Sequence, residues 1–368
     1  MAGLRFRLSI TIGILLAGWA YGSQDCPRLV GSFNTPAGTA CGMTLAKNLA
    51  YIPEGSDVFQ ILDVGDTARI KALWTHSWSS LCTTQTLLEG SALAGRILYI
   101  TFRCLPDASS TPGPSGLLIL DVSNPNAPVE HPRMEYSLPA TGGFTSVVVA
   151  GTTAYVASGT QGLYLFDITD PLNPVFLSQL DTDGYAEALA VIPGNVFLVD
   201  RSLYGGSGGG VVVVNTANPK APRRVGSFIG ARDPRRIVIV GSRAYVSDSG
   251  APSDGSDAGL WALDISNPAA MVVLGSYISS MQGLGLAVDG KLAYLGMNSE
   301  DGKSSAIQAI GVAVPEQMFN AGLFQNFGSS SGISRNSSTI FWGAGHALKA
   351  FSGSDCEVSR HGRPVTKP

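Results

Sequence analysis

A repeat constrains this chain more than any other feature. GLLILDVSNPNAP occupies 116–128, GLYLFDITDPLNP 162–174, GVVVVNTANPKAP 210–222 and GLWALDISNPAAM 259–271, with a weaker copy, DVFQILDVGDTARI, at 57–70. Each copy is a solid apolar run that stops at Asp or Asn and enters a proline-marked turn. Around it the same parts recur: an apolar strand (TSVVVAG, RRIVIVG), a Gly-containing turn, a strand carrying an aromatic (TAYVAS, RAYVSD), and after the proline turn an outer strand (VFLSQL, RRVGSF). Four strands in about 46 residues match the size of one β-propeller blade.

A third strand covered on both faces by neighbouring blades has no reason to alternate apolar with polar, which explains the solid runs. Asp121, Asp167 and Asp264, replaced once by Asn215, end those runs. Their side-chain oxygens can accept hydrogen bonds from backbone N–H groups about two residues on, holding an Asx turn. Pro125, Pro171, Pro219 and Pro268 fix φ inside the turn, and Pro128, Pro174 and Pro222 stand where an outer strand starts, so no central strand loses a donor. One acid per unit at one turn position reads as architecture rather than as a catalytic or metal-binding array.

The bulk composition agrees. Of 368 residues, 45 are Gly and 21 Pro, only 14% are charged and 45% are apolar, which describes many short strands joined by turns. The aromatic-strand markers are Tyr51, Tyr99, Tyr155, Phe197, Tyr245, Tyr294 and Phe341, one for each of seven blades. The last unit, TIFWGAG and HALKAFSG, runs out before an outer strand. At the other end RLVGSF (28–33) nearly repeats RRVGSF (223–228) with no earlier strands of its own. The sequence therefore predicts an all-β, seven-bladed propeller of four-stranded antiparallel blades, closed by an N-terminal outer strand that removes open edges.

The repeats GLYLFDITDPLNP and GLLILDVSNPNAP resemble the LVIVD repeat of secreted bacterial propeller proteins, over about residues 26–356. Blades 1, 6 and 7 depart from the pattern; blade 6 reads IQAIGVAVPEQM where the Asp turn belongs. The resemblance implies an extracytoplasmic β-propeller. It carries no catalytic residues, because the family's members share none.

MAGLRFRLSITIGILLAGWAYG has a basic start (Arg5, Arg7), a short apolar stretch, and Ala20 and Gly22 at cleavage spacing. This is read as a secretory signal rather than an uncleaved anchor, since the run is too short to span a bilayer comfortably. Cys26 lacks the small apolar residues that precede a lipidated cysteine. The expected organisation is a signal peptide over 1–22, the propeller over 23–357 and a flexible tail over 358–368. Without Arg5 and Arg7 the chain has 22 basic against 27 acidic residues, near −5. That balance disfavours nucleic acid.

Five cysteines in an exported chain imply disulfides with one left over. Cys26 precedes the closing strand and Cys356 follows the third strand of the same blade, so a bond between them would staple the ring. Cys82 and Cys104 lie in long connections (THSWSSLCTTQTLLEG and RCLPDASSTPGPSG) that should emerge on one face, and are paired here. Cys41 then remains free and buried.

No catalytic motif survives inspection. GGSGGG (205–210) lacks the Lys and Ser/Thr of a phosphate loop. His76, His131, His346 and His361 have no metal-ligand spacing. The acids in DTDG (181–184) and DSGAPSDGSD (248–257) do not match a calcium loop, and no G-x-S-x-G elbow is present. The expectation is no cofactor and no metal.

Registering the first strands aligns Cys41, Glu89, Thr145, Glu187, Arg235, Gly283 and Ser331 at the loop-face entrance to the central channel. Nearby loops add Arg103, Asp200, Arg201, Tyr204, Asp233 and Arg236. The ligand-binding set is Glu89, Arg103, Glu187, Asp200, Arg201, Arg235 and Arg236: an ion-paired pocket, with a solvated rim of salt bridges as the alternative. Glu89 and Glu187 invite comparison with a glycosidase carboxylate pair, but they belong to non-adjacent blades. The reading is a secreted or cell-surface, non-catalytic binding module, monomeric, for an envelope or extracellular protein or polysaccharide. The alternative is an extracytoplasmic hydrolase or lyase acting on a polysaccharide at the same face.

Overall fold

The computed structural model describes residues 26–36, 38, 42–106, 113–139, 142–201, 209–250, 259–337 and 339–353. Cys41, Tyr204, Cys356, the 1–22 segment and the 358–368 tail lie outside the described residues. Among the described residues all regular structure is β apart from two short 3-10 turns, Thr67–Arg69 and Pro315–Gln317.

The strands fall into antiparallel sheets in chain order. The first, β1 (Arg28–Asn34), stands apart from its sequence neighbours. Next come β2 (Thr44–Ala46), β3 (Leu49–Pro53), β4 (Val58–Asp63) and β5 (Lys71–Ser77), then β6 (Thr86–Ala94), β7 (Ile97–Cys104), β8 (Pro114–Asp121) and β9 (Val129–Ser137). Two further sets follow: β10 (Gly142–Ala150), β11 (Thr153–Gly159), β12 (Leu163–Asp167) and β13 (Val175–Leu180), then β14 (Tyr185–Ile192), β15 (Asn195–Arg201), β16 (Gly210–Asn215) and β17 (Arg223–Ile229). After them run β18 (Pro234–Val240), β19 (Arg243–Asp248), β20 (Gly259–Asp264) and β21 (Val272–Ile278), then β22 (Gln282–Val288), β23 (Leu292–Asn298), β24 (Ser304–Gly311) and β25 (Phe319–Phe327). Last are β26 (Ser330–Asn336), β27 (Thr339–Ala344) and β28 (Ala347–Ser352).

Each set pairs in sequence order, and β1 completes the final sheet as β1-β28-β27-β26. The sets β10–β13 and β14–β17 are joined into one eight-stranded sheet, but only through the pair Gly159↔Ala186. The first strands touch in a cycle: β2 meets β6, β6 meets β10, and so on through β14, β18, β22 and β26, which returns to β2. Small residues on these inner strands permit that closeness. A Cβ on Gly42 would lie 2.3 Å from Glu89 O, and one on Gly285 2.5 Å from Ser331 O.

The core lies between sheets, not within one. Tyr99, Leu117 and Ile119 of one sheet pack on Phe144, Val156, Tyr164 and Phe166 of the next. Third strands are buried on both faces, as in β8, where Gly116 to Leu120 is buried without interruption. At the turn end the carboxylates act as the motif implies: Asp121, Asp167 and Asp264 each accept from the N–H two residues on, at 2.9, 2.8 and 2.8 Å. Asn215 does the same to Ala217 at 3.3 Å. Where the acid is missing the frame survives on backbone alone. Val312 N donates to Lys291 O at 2.8 Å, the counterpart of Val122 to Arg96 O and Ile265 to Ser242 O.

Outer strands dock on the next sheet's turn, and this explains the glycine shared by RLVGSF and RRVGSF. A Cβ on Gly226 would lie 2.3 Å from Pro268 O, on Gly275 2.1 Å from Pro315 O, and on Gly31 1.7 Å from Thr67 O. Gly322 meets Cys26 O in the same way, at 1.9 Å. The N-terminal segment therefore touches three sheets: its own through β28, the preceding one at Gly322 and the following one at Thr67.

Candidate functional site

Register breaks on the inner strands create the site. The β6–β7 ladder slips between Leu88 and Ser91, β14–β15 between Ala186 and Ala188, and β18–β19 between Pro234 and Arg236. Glu89, Glu187 and Arg235 occupy those breaks. A bulge leaves a residue outside the ladder and re-aims its side chain, which is how strand residues can present charge at a rim. Partners come from the ends of second strands: Arg103 on β7 and Arg201 on β15.

Two ion-paired groups result. Arg103 grips Glu89 with a fork, Nε to Oε2 at 2.9 Å and Nη2 to Oε1 at 3.0 Å. The neighbouring residue is held as well, because Cys104 is disulfide-bonded to Cys82 across 22 residues. Gly143 leaves room for the Arg103 stem; a Cβ there would lie 2.7 Å from its Cδ. In the second group Arg201 donates to Asp233 Oδ1 at 2.5 Å and to Glu187 Oε2 at 3.2 Å. Arg235 donates to Asp233 Oδ2 at 2.6 Å and to Ser249 Oγ at 2.8 Å. Arg236 reaches Glu187 Oε1 at 3.4 Å. Four guanidiniums thus face three carboxylates in these ion pairs.

Burial raises the carboxyl pKa of Glu187 and Asp233, but the guanidiniums around each pull it down further, so both are held below the ordinary carboxylate range. Burial works against the Arg103 and Arg201 charges too, and their carboxylate partners outweigh it, leaving both raised. Arg235 goes the other way: burial, with Arg201 and Arg236 close by, leaves it lowered despite Asp233. Forked, charge-assisted bonds of this kind are the strong ones.

Of the residues aligned from sequence, Glu89, Thr145 and Arg236 line a cavity of about 170 Å³ where the inner strands meet, together with Gly42, Ser91 and Gly332. Arg236, not Arg235, is the cavity-lining arginine, because the slip before Arg236 shifts the register by one residue. Asp200 is not brought into the group. It is buried under the β13–β14 link, so close that a Cβ on Gly184 would lie 1.8 Å from its Oδ1. Burial raises its carboxyl pKa against the pull of the Thr182 hydroxyl and the Gly184 N–H, and Oδ1 makes no close hydrogen bond. Gly283 is buried against Asp248 O and Gly259 O.

Sequence reasoning missed three contributors. Tyr185 lies under the Arg201 guanidinium, 5.7 Å from ring centroid to Cζ, within the fields of Arg103, Glu89 and Glu187. Ser249 joins Arg235 to Asp233, donating to Oδ2 at 2.7 Å. Asp248, fully buried, accepts from Arg232 N and Asp233 N at 2.9 Å, Gly250 N at 3.1 Å and Trp261 Nε1 at 3.1 Å, and so fixes the loop carrying Asp233. An Asp closing the second strand in both FLVD and RAYVSD was the available signal. Among the described residues no three His, Cys, Asp or Glu side chains come together to hold a metal.

Comparison with known proteins agrees with the repeat. The family model described as "LVIVD repeat" matches residues 113–135, 141–182 and 231–279. The chain carries LVIVD repeats. Its matched segments fall on β8–β9, β10–β13 and β18–β21, where the Asx turns are best formed. No curated protein matches it. Among solved structures it is similar to Kuenenia stuttgartiensis hydrazine synthase, at 12% identity and a TM-score of 0.62, covering 88% of this chain and 97% of that one. It is also similar to the β-propeller domain of Myceliophteria thermophila Cps50 (Swd1), at 9% identity and a TM-score of 0.59, covering 87% and 99%. The computationally designed Ika8 protein matches at 10% identity and a TM-score of 0.54, covering 88% and 99%. At these identities the likeness concerns fold alone, and the fold is a β-propeller.

Proposed function

We propose that the chain is a seven-bladed, extracytoplasmic propeller that binds an anionic group at the mouth of its channel, without catalysis. The blade count rests on the cycle of inner strands, with the single Gly159↔Ala186 pair bridging two separate blades. The Cys82–Cys104 disulfide suits an oxidising compartment. Among the described residues no helix is long and apolar enough to cross a membrane. Cys26 is disulfide-bonded, and Cys356 is its proposed partner.

The observation that carries the binding reading is the state of Arg236. It lines the cavity, and among the described residues only its Nη1 of the side-chain donors has a partner, Glu187 and Arg235 O. Among the described residues Nε and Nη2 therefore leave a guanidinium edge open. A carboxylate on an envelope polysaccharide or partner protein fits that edge. Acid–base cleavage fits less well, because the carboxyl groups grouped at the mouth are tied to arginines and none is poised as an acid. The test is isothermal titration of oligogalacturonate into the wild type and into Arg236→Ala. Binding that disappears in the variant, with Tm lowered by no more than a few degrees, supports the reading. Equal binding by both proteins refutes this seat for the anion.

A further inference from the structure

Two hydrogen-bonding groups at the mouth lack a partner among the described residues: the Nε/Nη2 edge of Arg236 and the hydroxyl of Tyr185. Ion pairs in series stand between them. Glu187 Oε1 meets Arg236 Nη1 at 3.4 Å and its Oε2 meets Arg201 Nη1 at 3.2 Å, while Arg201 lies over the Tyr185 ring, 5.7 Å from Cζ to centroid. A carboxyl group seated on Arg236 therefore leaves the phenol to some other atom of the same ligand. The phenol is within the fields of Arg103 and Glu89 as well as those of Glu187 and Arg201, so it stands between the two ion-paired groups rather than inside one. Burial raises its pKa against the pull of Arg103 and Arg201, so at neutral pH it keeps its proton and can both donate and accept. A ligand hydroxyl, itself donor and acceptor, complements such a group. Each ring of a polyuronate carries hydroxyls beside its carboxylate, so one unit can supply both contacts. An acidic peptide supplies the carboxylate without a hydroxyl in the same side chain. The cavity wall agrees: Val147, Leu189 and Ile237 are interleaved with Thr145, Ser146 and Arg236, which suits a ring bearing hydroxyls on a hydrocarbon frame.

We infer that the anion is a uronate of a glycan, its carboxylate on the open edge of Arg236 and a ring hydroxyl on Tyr185, and that Tyr185 is the residue that selects sugar acids over acidic peptides. This rests on the anion-binding reading and narrows it. Charge fixes the end that enters at Arg236. Discrimination comes from the phenol, because a ligand without the hydroxyl covers that group and leaves it unpaired.

The experiment is calorimetric titration of oligogalacturonate and of oligoglutamate of equal length into the oxidised full chain, as wild type, Tyr185→Phe and Arg236→Ala. The wild type should prefer oligogalacturonate roughly tenfold. Tyr185→Phe, which removes one oxygen, should weaken oligogalacturonate roughly five- to tenfold and leave oligoglutamate unchanged. Arg236→Ala should weaken both. A merely structural tyrosine would lower the two affinities together, so their ratio is the readout. Oligoglutamate bound as tightly as oligogalacturonate by the wild type overturns the uronate assignment in favour of an acidic peptide and leaves the anion site standing. A preference that survives Tyr185→Phe overturns the role of the phenol. No binding of either anion overturns both readings.

Discussion

The two ends of these sheets both carry acids, and they use them differently. At the turn end Asp121, Asp167 and Asp264 recur blade by blade, are half-buried, and satisfy a backbone N–H two residues on. At the mouth Glu89, Glu187 and Asp233 differ from blade to blade and satisfy guanidiniums instead. A carboxylate that repeats with the fold answers a need of the backbone that every blade has. One that breaks the repeat, at a bulge, answers something particular to its place. The comparison teaches that function in such a ring is found where the repeat is violated.

The sharpest way to break this view is at the turn end, where the architecture should be least forgiving. Gly31→Val would put a Cβ 1.7 Å from Thr67 O, against rigid backbone rather than a side chain that can swing away. That clash falls at the ring's closure, where β1 joins a sheet whose other strands come from the far end of the chain. The expected loss is about 3 kcal/mol or more, read as a drop in the denaturant midpoint of one cooperative transition. A variant that unfolds within experimental error of the wild type would show that the outer-strand docking is not structural.

At the mouth, the adjacent arginines should behave unlike each other. Arg235→Ala leaves Asp233 short of a close partner and removes the donor to Ser249 in a half-buried setting, so it should cost about 2 kcal/mol. Arg236→Ala removes the long contact to Glu187 and the bond to the Arg235 carbonyl, and should cost less, about 1 kcal/mol. Equal costs in chemical denaturation would mean that the division into a structural and a binding arginine is wrong.

How much of this was legible follows the same line. The Asx turns, the buried aromatics of the second strands and the pairing of RLVGSF with the last sheet could be read because each is a copy of something seen elsewhere in the chain. The mouth could be read only in part. Strand alignment brought Glu89, Glu187 and the arginines to one rim, but a one-residue slip before Arg236 decides which arginine lines the cavity, and nothing in RRIVIV announces it. Tyr185 was passed over because it stands before the strand's apolar pattern begins. Asp200 was drawn in because it neighbours Arg201, although strand alternation turns the two side chains apart.

A smaller effect separates the ends by pH. The hydroxyl of Thr169 and the Thr169 N–H, both bonded to Asp167, hold its carboxyl below the ordinary range. A carboxyl lowered in the folded state contributes stability above the unfolded pKa, roughly 4, and loses it as pH falls through the folded value. Asp167→Ala should therefore lower Tm modestly at pH 6, and the gap to wild type should close as pH falls below about 4. A gap that stays constant down to pH 2 would mean that the turn does not depend on the ionised carboxylate.

The smallest expected effect has the opposite sign, and it tests a repeat at the ends of the second strands. Asp200 and Asp248 close the second strands of consecutive blades, one opposite Ala186 and the other opposite Pro234. Asp248 is fully satisfied by four N–H donors, whereas Asp200 keeps Oδ1 without a close hydrogen bond and its carboxyl is raised by burial. A raised carboxyl costs the fold stability at every pH where it is ionised, and that cost vanishes as pH drops through the folded value. Asp200→Asn, similar in shape and uncharged, should then raise Tm by about 1 °C at pH 7 and leave it unchanged near pH 3. Asp248→Asn should lower Tm instead, because an amide cannot accept at both ends. Stabilisation by both substitutions, or by neither, would show that the two positions share one role, and that the difference in their hydrogen bonding does not govern it.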